Sequence, residues 1–280
     1  MNYVLSHYQI RPLLAARPAA PTTISTSLDL NLSRQEIELT ATGAILPDGQ
    51  HLSWAEMEQM AANENACYLV RDNAGHKIQF FSETLNRAYT LYPTANAPTM
   101  LVSGLPMHRI KGTDPQADTR QKIKTVKPLT GRVLDTTMGL GYTAIQAAQT
   151  ALKVVTIELD PVVVEVCRLN PWSQPLFTLP NITRRVGDSY DEIETFPDNS
   201  FSRIIHDPPT FSLAGDLYAT EFYQQLYRVL SYKGRMFHYI GDLNSRSGRG
   251  VVRGVVRRLK EVGFRKVDQK PLAFGIVAYK

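Results

Sequence analysis

The chain has 280 residues, of which 43% are hydrophobic and 20% are charged, with a formal net charge of +5. This composition excludes wholesale disorder and fibrous architectures. The two cysteines, Cys67 and Cys167, lack neighbours at metal-ligand spacing, which excludes a disulfide scaffold and a structural zinc site. No uncharged apolar run reaches the roughly 20 residues of a membrane helix, and no secretory signal is recognisable at the N-terminus, so we expect a cytoplasmic protein without a membrane partner.

The positive charge is concentrated near the end of the chain. Residues 241–280 carry 10 basic and 3 acidic side chains, so the rest of the chain is slightly acidic overall. A local basic face predicts an anionic partner or an anionic substrate group. A solvated helix face explains the same charges equally well, and the sequence leaves the oligomeric state open.

The first part of the chain, residues 1–104, predicts a small α+β module. Its first 28 residues are rich in Pro, Ala and Thr and predict an extended arm. The remaining signals are a strand with alternating polarity, a helix with an N-cap Ser followed three residues later by Glu, and a hairpin. They lie at 36–40, at Ser53–Ala62, and at Cys67–Arg71 with Lys77–Phe81 around Asp72–Gly75.

The second part, residues 105–280, alternates between helical and strand patterns. We predict helices at 115–127, 142–152, 161–169, 219–230 and 249–262, and strands at 132–135, 153–158, 182–187, 202–206, 234–240, 264–270 and 273–279. Such alternation favours an α/β fold with a Rossmann-like doubly wound sheet. The last two strands leave no room for a helix between them and therefore predict a C-terminal antiparallel hairpin.

The strongest local signal is a glycine turn that follows a buried strand. It comprises Asp135, Thr136, Gly139 and Gly141 and leads into a helix, so a ligand could approach backbone N–H groups there. Ala144 takes the third glycine place, which the dinucleotide fingerprint tolerates. No Gly-Lys-Ser/Thr follows, which excludes a phosphate loop of the nucleotide-triphosphate type.

Acidic residues end the next two strands. Glu158 lies 17 residues after Gly141, where a carboxylate can accept hydrogen bonds from both hydroxyls of a ribose. Asp188 and Ser189 follow the third strand, where a carboxylate can accept from an adenine amino group. A solvated Glu and a helix N-cap are the structural alternatives for the two sites.

The fourth strand ends in Ile205-His206-Asp207-Pro208-Pro209, followed by Thr210-Phe211-Ser212. Two prolines keep the chain extended and remove two N–H donors, which predicts a pocket edge lined by acceptors and suited to an amine. A plain Asp-Pro-Pro turn is the alternative.

In this order and at these spacings, the four motifs resemble class I S-adenosylmethionine-dependent methyltransferases over residues 105–280. The resemblance implies S-adenosylmethionine as the cofactor. It places the glycine turn at the methionine part, Glu158 at the ribose, Asp188 with Ser189 at the adenine, and Asp207–Pro209 at the methyl acceptor. Thr137 stands where the family has its first glycine.

Within that family, Asp-Pro-Pro is similar to the motif of enzymes that methylate amino groups, and the Asp-Pro-Pro-Thr-Phe-Ser stretch is similar to one in some ribosomal RNA methyltransferases. Phe211 comes one residue later than the aromatic of the first motif. More widely, the chain looks like a set of largely uncharacterised archaeal-type methyltransferases, on the strength of Pro98–Met100, Met107–Arg109 and Phe237–Gly241.

Other residues qualify as candidates near the acceptor. His206 and His238 end neighbouring strands, and each is either a general base or a buried structural histidine. His108 and Arg109 are either a substrate clamp or part of an ion pair between modules. A flipped base could stack on aromatic residues, which also suit a helix core: Phe211, Tyr218, Phe222 and Tyr239.

These observations predict an enzyme that transfers a methyl group from S-adenosylmethionine to a nitrogen acceptor, with an RNA base as one candidate acceptor and a small molecule as another. Two alternatives stay open at this point. One is an enzyme that transfers or cyclises the amino-acid or aminopropyl portion of the cofactor; the other is a non-catalytic RNA-binding module.

Overall fold

A computed structural model describes residues 2–17, 20–209, 214–243 and 245–280, apart from the side chains of Arg246 and Ser247. The chain forms two compact units. One comprises Met1–Gln116 with Val162–Gln174, and the other comprises Ala117–Pro161 with Pro175–Lys280. The predicted boundary between residues 104 and 105 stays a prediction.

Among the described residues up to Pro106, the first unit contains short strands and two helices. In chain order they are β1 (Tyr3–Leu5), α1 (His7–Ala15), β2 (Thr22–Thr26), β3 (Gln35–Leu39), β4 (Gly43–Ile45), β5 (His51–Ser53), α2 (Trp54–Ala62), β6 (Tyr68–Arg71), β7 (Ala74–Lys77), β8 (Gln79–Ser82), β9 (Arg87–Tyr92), β10 (Thr99–Val102) and β11 (Leu105–Pro106). The strands form three sheets, ordered β1-β6-β7, β2-β3-β4-β5 and β11-β10-β9-β8. A core that includes Leu5, Ile10, Leu39 and Met57 holds α1, α2, β1 and β3 together.

The predicted extended arm is wrong, because the described residues among the first 28 include the elements β1, α1 and β2. Ser6 and Gln9 form a capping box: the Ser6 backbone N–H donates to Gln9 Oε1 at 3.0 Å, and the Ser6 hydroxyl accepts from the Tyr8 N–H. Ile10 and Leu13 are fully buried. Capping and burial stabilise the helix although Pro12 lies inside it.

The first strand of the predicted hairpin is present as β6, but its partner is Ala74–Lys77 and not the predicted Lys77–Phe81. Asp72 and Asn73 adopt positive φ of 53° and 64°, which makes a two-residue turn that twists with its strands. β6 therefore pairs with β7, and β8 pairs with β9. The Ser53 cap is confirmed, since the Glu56 N–H donates to Ser53 Oγ at 3.2 Å.

From Pro115 onward, helices and strands alternate. They are α3 (Pro115–Val126), β12 (Arg132–Asp135), α4 (Tyr142–Ala148), β13 (Lys153–Glu158), α5 (Pro161–Leu169), α6 (Pro175–Thr178), β14 (Ile182–Val186), α7 (Ser189–Glu192), β15 (Phe201–His206), α8 (Thr220–Val229), β16 (Leu230–Tyr239), α9 (Arg246–Val262), β17 (Lys266–Lys270) and β18 (Gly275–Tyr279). The predicted α/β pattern is confirmed. β16 begins earlier than expected, and its pairing with β15 shifts register near its start.

Seven strands form one sheet in the order β14-β13-β12-β15-β16-β18-β17. The first five are parallel, and β18 pairs antiparallel with both β16 and β17, which confirms the C-terminal hairpin. The direction of winding reverses between β12 and β15. In open parallel sheets, ligands bind at the carboxyl ends of the strands beside such a reversal.

The core of the second unit lies between this sheet and helices α8 and α9. Phe222 and Leu226 of α8 and Val255 and Leu259 of α9 are fully buried against Ile204 and other strand residues. This packing fixes the carboxyl ends of β12–β16 at one edge. Among the described residues, no helix is long and apolar enough to cross a membrane.

Candidate active site

Asp135 lies at the end of β12 and is fully buried. Its Oδ2 accepts hydrogen bonds from the hydroxyls of Thr156, at 2.9 Å, and Thr143, at 3.1 Å. Its Oδ1 has no hydrogen-bond partner within the described part of the chain. Burial raises the pKa of Asp135 to about 8, because removal from water disfavours the charged carboxylate.

The glycine turn follows Asp135, and its two glycines have different functions. Gly139 and Gly141 have positive φ, of 52° and 76°. At Gly141 a Cβ would lie 2.2 Å from Leu176 Cδ1, so packing as well as backbone conformation requires glycine. The Gly139 N–H points at the next strand end, where it donates to Glu158 Oε2 at 2.8 Å.

Glu158, at the end of β13, connects the glycine turn to the residues that follow this strand. Its carboxylate accepts from the Gly139 N–H and, at 3.1 Å, from the Asp160 N–H. Burial raises its pKa to about 7. The structure thus brings the glycine turn and Glu158 together, and Leu159 beside them leaves 45% of its surface exposed.

Asp188 and Ser189 follow β14. Asp188 Oδ1 accepts from the Tyr190 N–H at 2.8 Å and caps the short helix α7, so the structural alternative for this residue is realised. The Asp188 side chain remains exposed at the edge of the sheet. Ser189 is buried, and its hydroxyl donates to the Thr136 carbonyl.

Two threonines link the glycine turn to the end of β15. The Thr137 hydroxyl donates to the Asp207 carbonyl at 2.8 Å. Thr136 lies 2.8 Å, through its hydroxyl, from His206 Nδ1, and its N–H donates to the Ile205 carbonyl at 3.0 Å. The departure from the family glycine at position 137 therefore supplies a contact to the Asp-Pro-Pro segment. The sequence shows that Thr137 replaces a glycine, but it does not show that the Asp207 carbonyl is the partner of this threonine.

Asp207, predicted to lie at the edge of a pocket, contacts a buried cation. The Lys122 ammonium of α3 lies 2.6 Å from Asp207 Oδ2 and 2.9 Å from Asp118 Oδ2, and it also lies 4.7 Å from the Tyr239 ring centroid. The Lys122 side chain is only 3% exposed, and that of Asp207 is 18% exposed. We name Asp118, Lys122 and Asp207 the aspartate–lysine triad.

Electrostatics keep Lys122 charged in this triad. Burial alone would lower the pKa of its ammonium, but Asp207 and Asp118 outweigh burial and raise the pKa above the ordinary value. Two carboxylates then share one cation, which leaves one excess negative charge when both are ionised. Sequence reasoning missed the triad, although Asp118 and Lys122 are spaced i, i+4 on a helix.

His206 and His238 are both fully buried, with ring centroids 4.4 Å apart. His206 Nε2 donates to the Leu217 carbonyl at 2.9 Å, since a carbonyl only accepts; Nδ1 then accepts from the Thr136 hydroxyl. His238 Nε2 lies 2.9 Å from the Tyr223 hydroxyl. Burial lowers the pKa of His238 and lowers that of His206 to about 3, so both rings are neutral.

A hydrogen bond from Tyr218 holds the proline pair. Pro208 is buried and Pro209 is exposed, and the Tyr218 hydroxyl donates to the Pro209 carbonyl at 3.0 Å. Tyr218 and Phe222 are buried and cannot stack a base, whereas Tyr239 is half-buried beside Lys122. Phe211, predicted as a substrate contact, lies outside the described residues.

His108 and Arg109 belong to the first unit. The His108 ring nitrogen Nδ1 lies 3.0 Å from the hydroxyl of buried Thr99, and the His108 N–H donates to the same hydroxyl. Both residues are half-buried. Their predicted role at the substrate stays a prediction.

Comparison with solved structures defines the class of fold. Spermidine synthase from Thermotoga maritima aligns with a TM-score of 0.58 at 19% identity over 74% of this chain and 75% of its own. A spermidine synthase in complex with the transition state analogue AdoDATO gives 0.60 at 19% identity over 74% and 76%, and MnmC2 from Aquifex aeolicus gives 0.51 at 17% over 68% and 70%. The fold is the Rossmann-like fold of these transferases, as the sequence predicted.

Comparison of sequences defines the family. The chain is 41% identical over 263 residues to the uncharacterized protein MJ1233 of Methanocaldococcus jannaschii, a match that covers 92% of this chain and 89% of the relative. The chain belongs to the family of that archaeal protein. No family model matches the chain.

Proposed function

We propose that the protein is an S-adenosylmethionine-dependent methyltransferase that acts on a nitrogen acceptor. The observation that carries the proposal is the Glu158 carboxylate, held against the glycine turn by the Gly139 N–H at the edge where the sheet reverses its winding. A ligand with a ribose, an adenine and a polar amino-acid end matches the groups along this edge.

The residues of the edge fit S-adenosylmethionine in three places. Glu158 accepts from the ribose hydroxyls, and the exposed carboxylate of Asp188 accepts from the adenine amino group. Leu159 offers an exposed apolar surface beside them. The glycine turn that follows Asp135 takes the polar methionine end, and Asp135 Oδ1 has no hydrogen-bond partner among the described residues. When bound, the cofactor supplies a methyl group on a positively charged sulfur.

The acceptor belongs at Asp207, Pro208 and Pro209. Thr137 and Tyr218 hold the carbonyls of Asp207 and Pro209, so the segment is fixed before a substrate arrives. The excess negative charge of the aspartate–lysine triad favours an amino group over an anionic acceptor atom. Transfer to a neutral amine depends mainly on alignment, which a rigid segment provides.

His206 and His238 were predicted as catalytic, and that role stays a prediction. Their neutral, buried rings support a positioning role, because His206 binds Thr136 on one side and the Leu217 carbonyl on the other. Methyl transfer to a neutral amine gives a positively charged ammonium, which can then lose its proton to solvent, so the reaction needs no histidine base.

A second candidate is transfer of the aminopropyl portion of decarboxylated S-adenosylmethionine, since S-adenosylmethionine itself carries a carboxylate on that portion. The negative triad suits a polyamine acceptor as well as a nucleobase amine. The spermidine synthases among the structural neighbours share the fold with this chain. The two candidates leave different by-products, S-adenosylhomocysteine and methylthioadenosine.

Glu158→Ala should weaken binding of S-adenosylhomocysteine by about 1–3 kcal/mol, roughly 5- to 150-fold, because a charged acceptor of the ribose hydroxyls is lost. Titration calorimetry of the wild-type protein and the variant measures the change. Glu165→Ala, which removes an exposed carboxylate 3.2 Å from Arg168, serves as the control. Equal affinity of wild type and Glu158→Ala would remove Glu158 from the cofactor site.

A further inference from the structure

Helix α9 carries an unusual share of the charge of this protein. Its 17 residues include six basic side chains and one acidic side chain, a net charge of +5. The formal net charge of the entire chain is also +5, so the remaining residues are neutral overall. The positive charge is thus a property of one helix.

Four of the basic residues of α9 lie on one exposed face of the helix. Arg249, Arg253 and Arg257 follow one another at i, i+4 and i+8, and a rise of about 1.5 Å per residue places them about 6 Å apart along the axis. All three are exposed, as is Lys260. We name these four residues the arginine face.

The fold does not need this arrangement. Like charges at i, i+4 repel, and Arg249 near the helix start, where no acidic residue lies in the first turn, opposes the helix dipole. Lys260 in the last turn favours the dipole. The apolar face of α9 secures its packing independently, through buried residues such as Val255 and Leu259. The Arg257 side chain lies 3.4 Å from Glu261, which offsets one charge of the face.

Gly250 and Gly254 lie beside the arginine face. Gly250 is exposed, and a Cβ built on it would meet nothing within 4 Å, so packing does not require glycine there. Glycine lowers helix propensity, and here it leaves the helix backbone uncovered next to Arg249 and Arg253. An extended ligand could approach the backbone closely at this point.

We propose that the arginine face binds the phosphodiester backbone of a nucleic acid. This inference rests on the proposed function, for which it names the substrate class. α9 follows β16, whose end pairs with that of β15 through His206 and His238, so the helix begins at the edge that carries Asp207. A strand bound along the helix therefore leads to the acceptor segment.

The buried apolar face of α9 argues against a membrane as the partner. A helix that lies on a membrane inserts its apolar side chains, but Val255 and Leu259 are fully buried in the core of the protein. A row of arginines, by contrast, matches a row of phosphates through charge-assisted hydrogen bonds.

The test compares binding of a labelled single-stranded oligoribonucleotide by fluorescence anisotropy across a series of KCl concentrations. The logarithm of affinity should fall linearly with the logarithm of salt concentration for the wild-type protein. The triple variant R253Q/R257Q/K260Q should reduce that slope by about two, because each phosphate contact on a single strand contributes about 0.7.

A matched variant, K124Q/K127Q/K153Q, removes three other exposed positive charges and should keep the wild-type slope. Equal slopes for the two triple variants, or no binding of RNA at low salt, would overturn the proposal. Binding to phosphatidylserine vesicles in preference to RNA would also overturn it. Equal binding of DNA and RNA supports recognition of the shared backbone, and tighter binding of RNA supports an RNA substrate.

Calorimetry with S-adenosylhomocysteine separates this inference from the proposed function. If the protein binds S-adenosylhomocysteine but the two triple variants have equal salt-dependence slopes, only the proposed nucleic-acid partner is ruled out. If the wild-type protein does not bind S-adenosylhomocysteine but the two triple variants differ in their salt-dependence slopes, the methyltransferase proposal fails. An RNA-binding module is then the remaining interpretation.

Discussion

Lys122→Met should destabilise the protein by about 3–5 kcal/mol, the cost typical of removing one partner from a buried ion pair. The substitution keeps an unbranched side chain of similar length but leaves Asp118 and Asp207 facing each other without a cation. The Lys122 ammonium contacts both carboxylates, at 2.9 and 2.6 Å, and is almost completely buried. Urea unfolding followed by circular dichroism measures the loss.

Two controls show whether the loss is electrostatic. Lys124→Met, two residues along on the exposed face of α3, should change stability by less than about 0.5 kcal/mol. The triple variant D118N/K122M/D207N removes all three charges and should recover most of the loss, because apolar or neutral replacements of whole buried ionic groups are often tolerated. An unfolding curve for Lys122→Met that matches the wild type would contradict the account of the triad.

Asp135→Asn should stabilise the protein at pH 8 by on the order of 5 kcal/mol and change little near pH 4. The pKa of Asp135 in the folded protein is about 8, above its ordinary value of 3.8. Between these values the folded protein holds a proton that the unfolded chain has released. The stability of the wild type therefore falls as the pH rises from about 4 to about 8.

Asparagine has no proton to release and keeps an oxygen for the hydroxyls of Thr143 and Thr156. Glu158, with a pKa of about 7, adds to the fall in the wild type and remains in the variant, so the variant should show a shallower profile. Unfolding free energies measured at several pH values give both profiles. Parallel profiles for the two proteins would show that Asp135 is ionised in the folded state.

The fold of the second half of the chain was predictable because its signals are local and repeated. Buried strands such as β12 and β13 alternate with helices that have clear apolar faces. The first 28 residues were not predictable from composition, since the capping box of Ser6 with Gln9 and the burial of Ile10 outweigh the prolines. The predicted hairpin turn was two residues too long, because Asp72 and Asn73 both adopt positive φ and close the turn by themselves.

The candidate site was predictable where motifs follow strand ends and not where distant residues meet. The glycine turn and Glu158 are near in sequence and in space. Lys122 lies 85 residues before Asp207, and only the packed helix α3 brings them together. The contact from Thr137 to the Asp207 carbonyl likewise spans 70 residues. Side-chain partners of this kind depend on tertiary structure, which no local pattern specifies.

Identification of the by-product formed from methyl-labelled S-adenosylmethionine and from its decarboxylated form, with RNA and polyamine acceptors supplied in parallel, tests the proposed reaction most directly. Methyl transfer predicts S-adenosylhomocysteine in amounts equal to the label on an acceptor nitrogen, and a marked decrease of both with Glu158→Ala. Release of methylthioadenosine, or neither product with any acceptor, would contradict methyl transfer at this site.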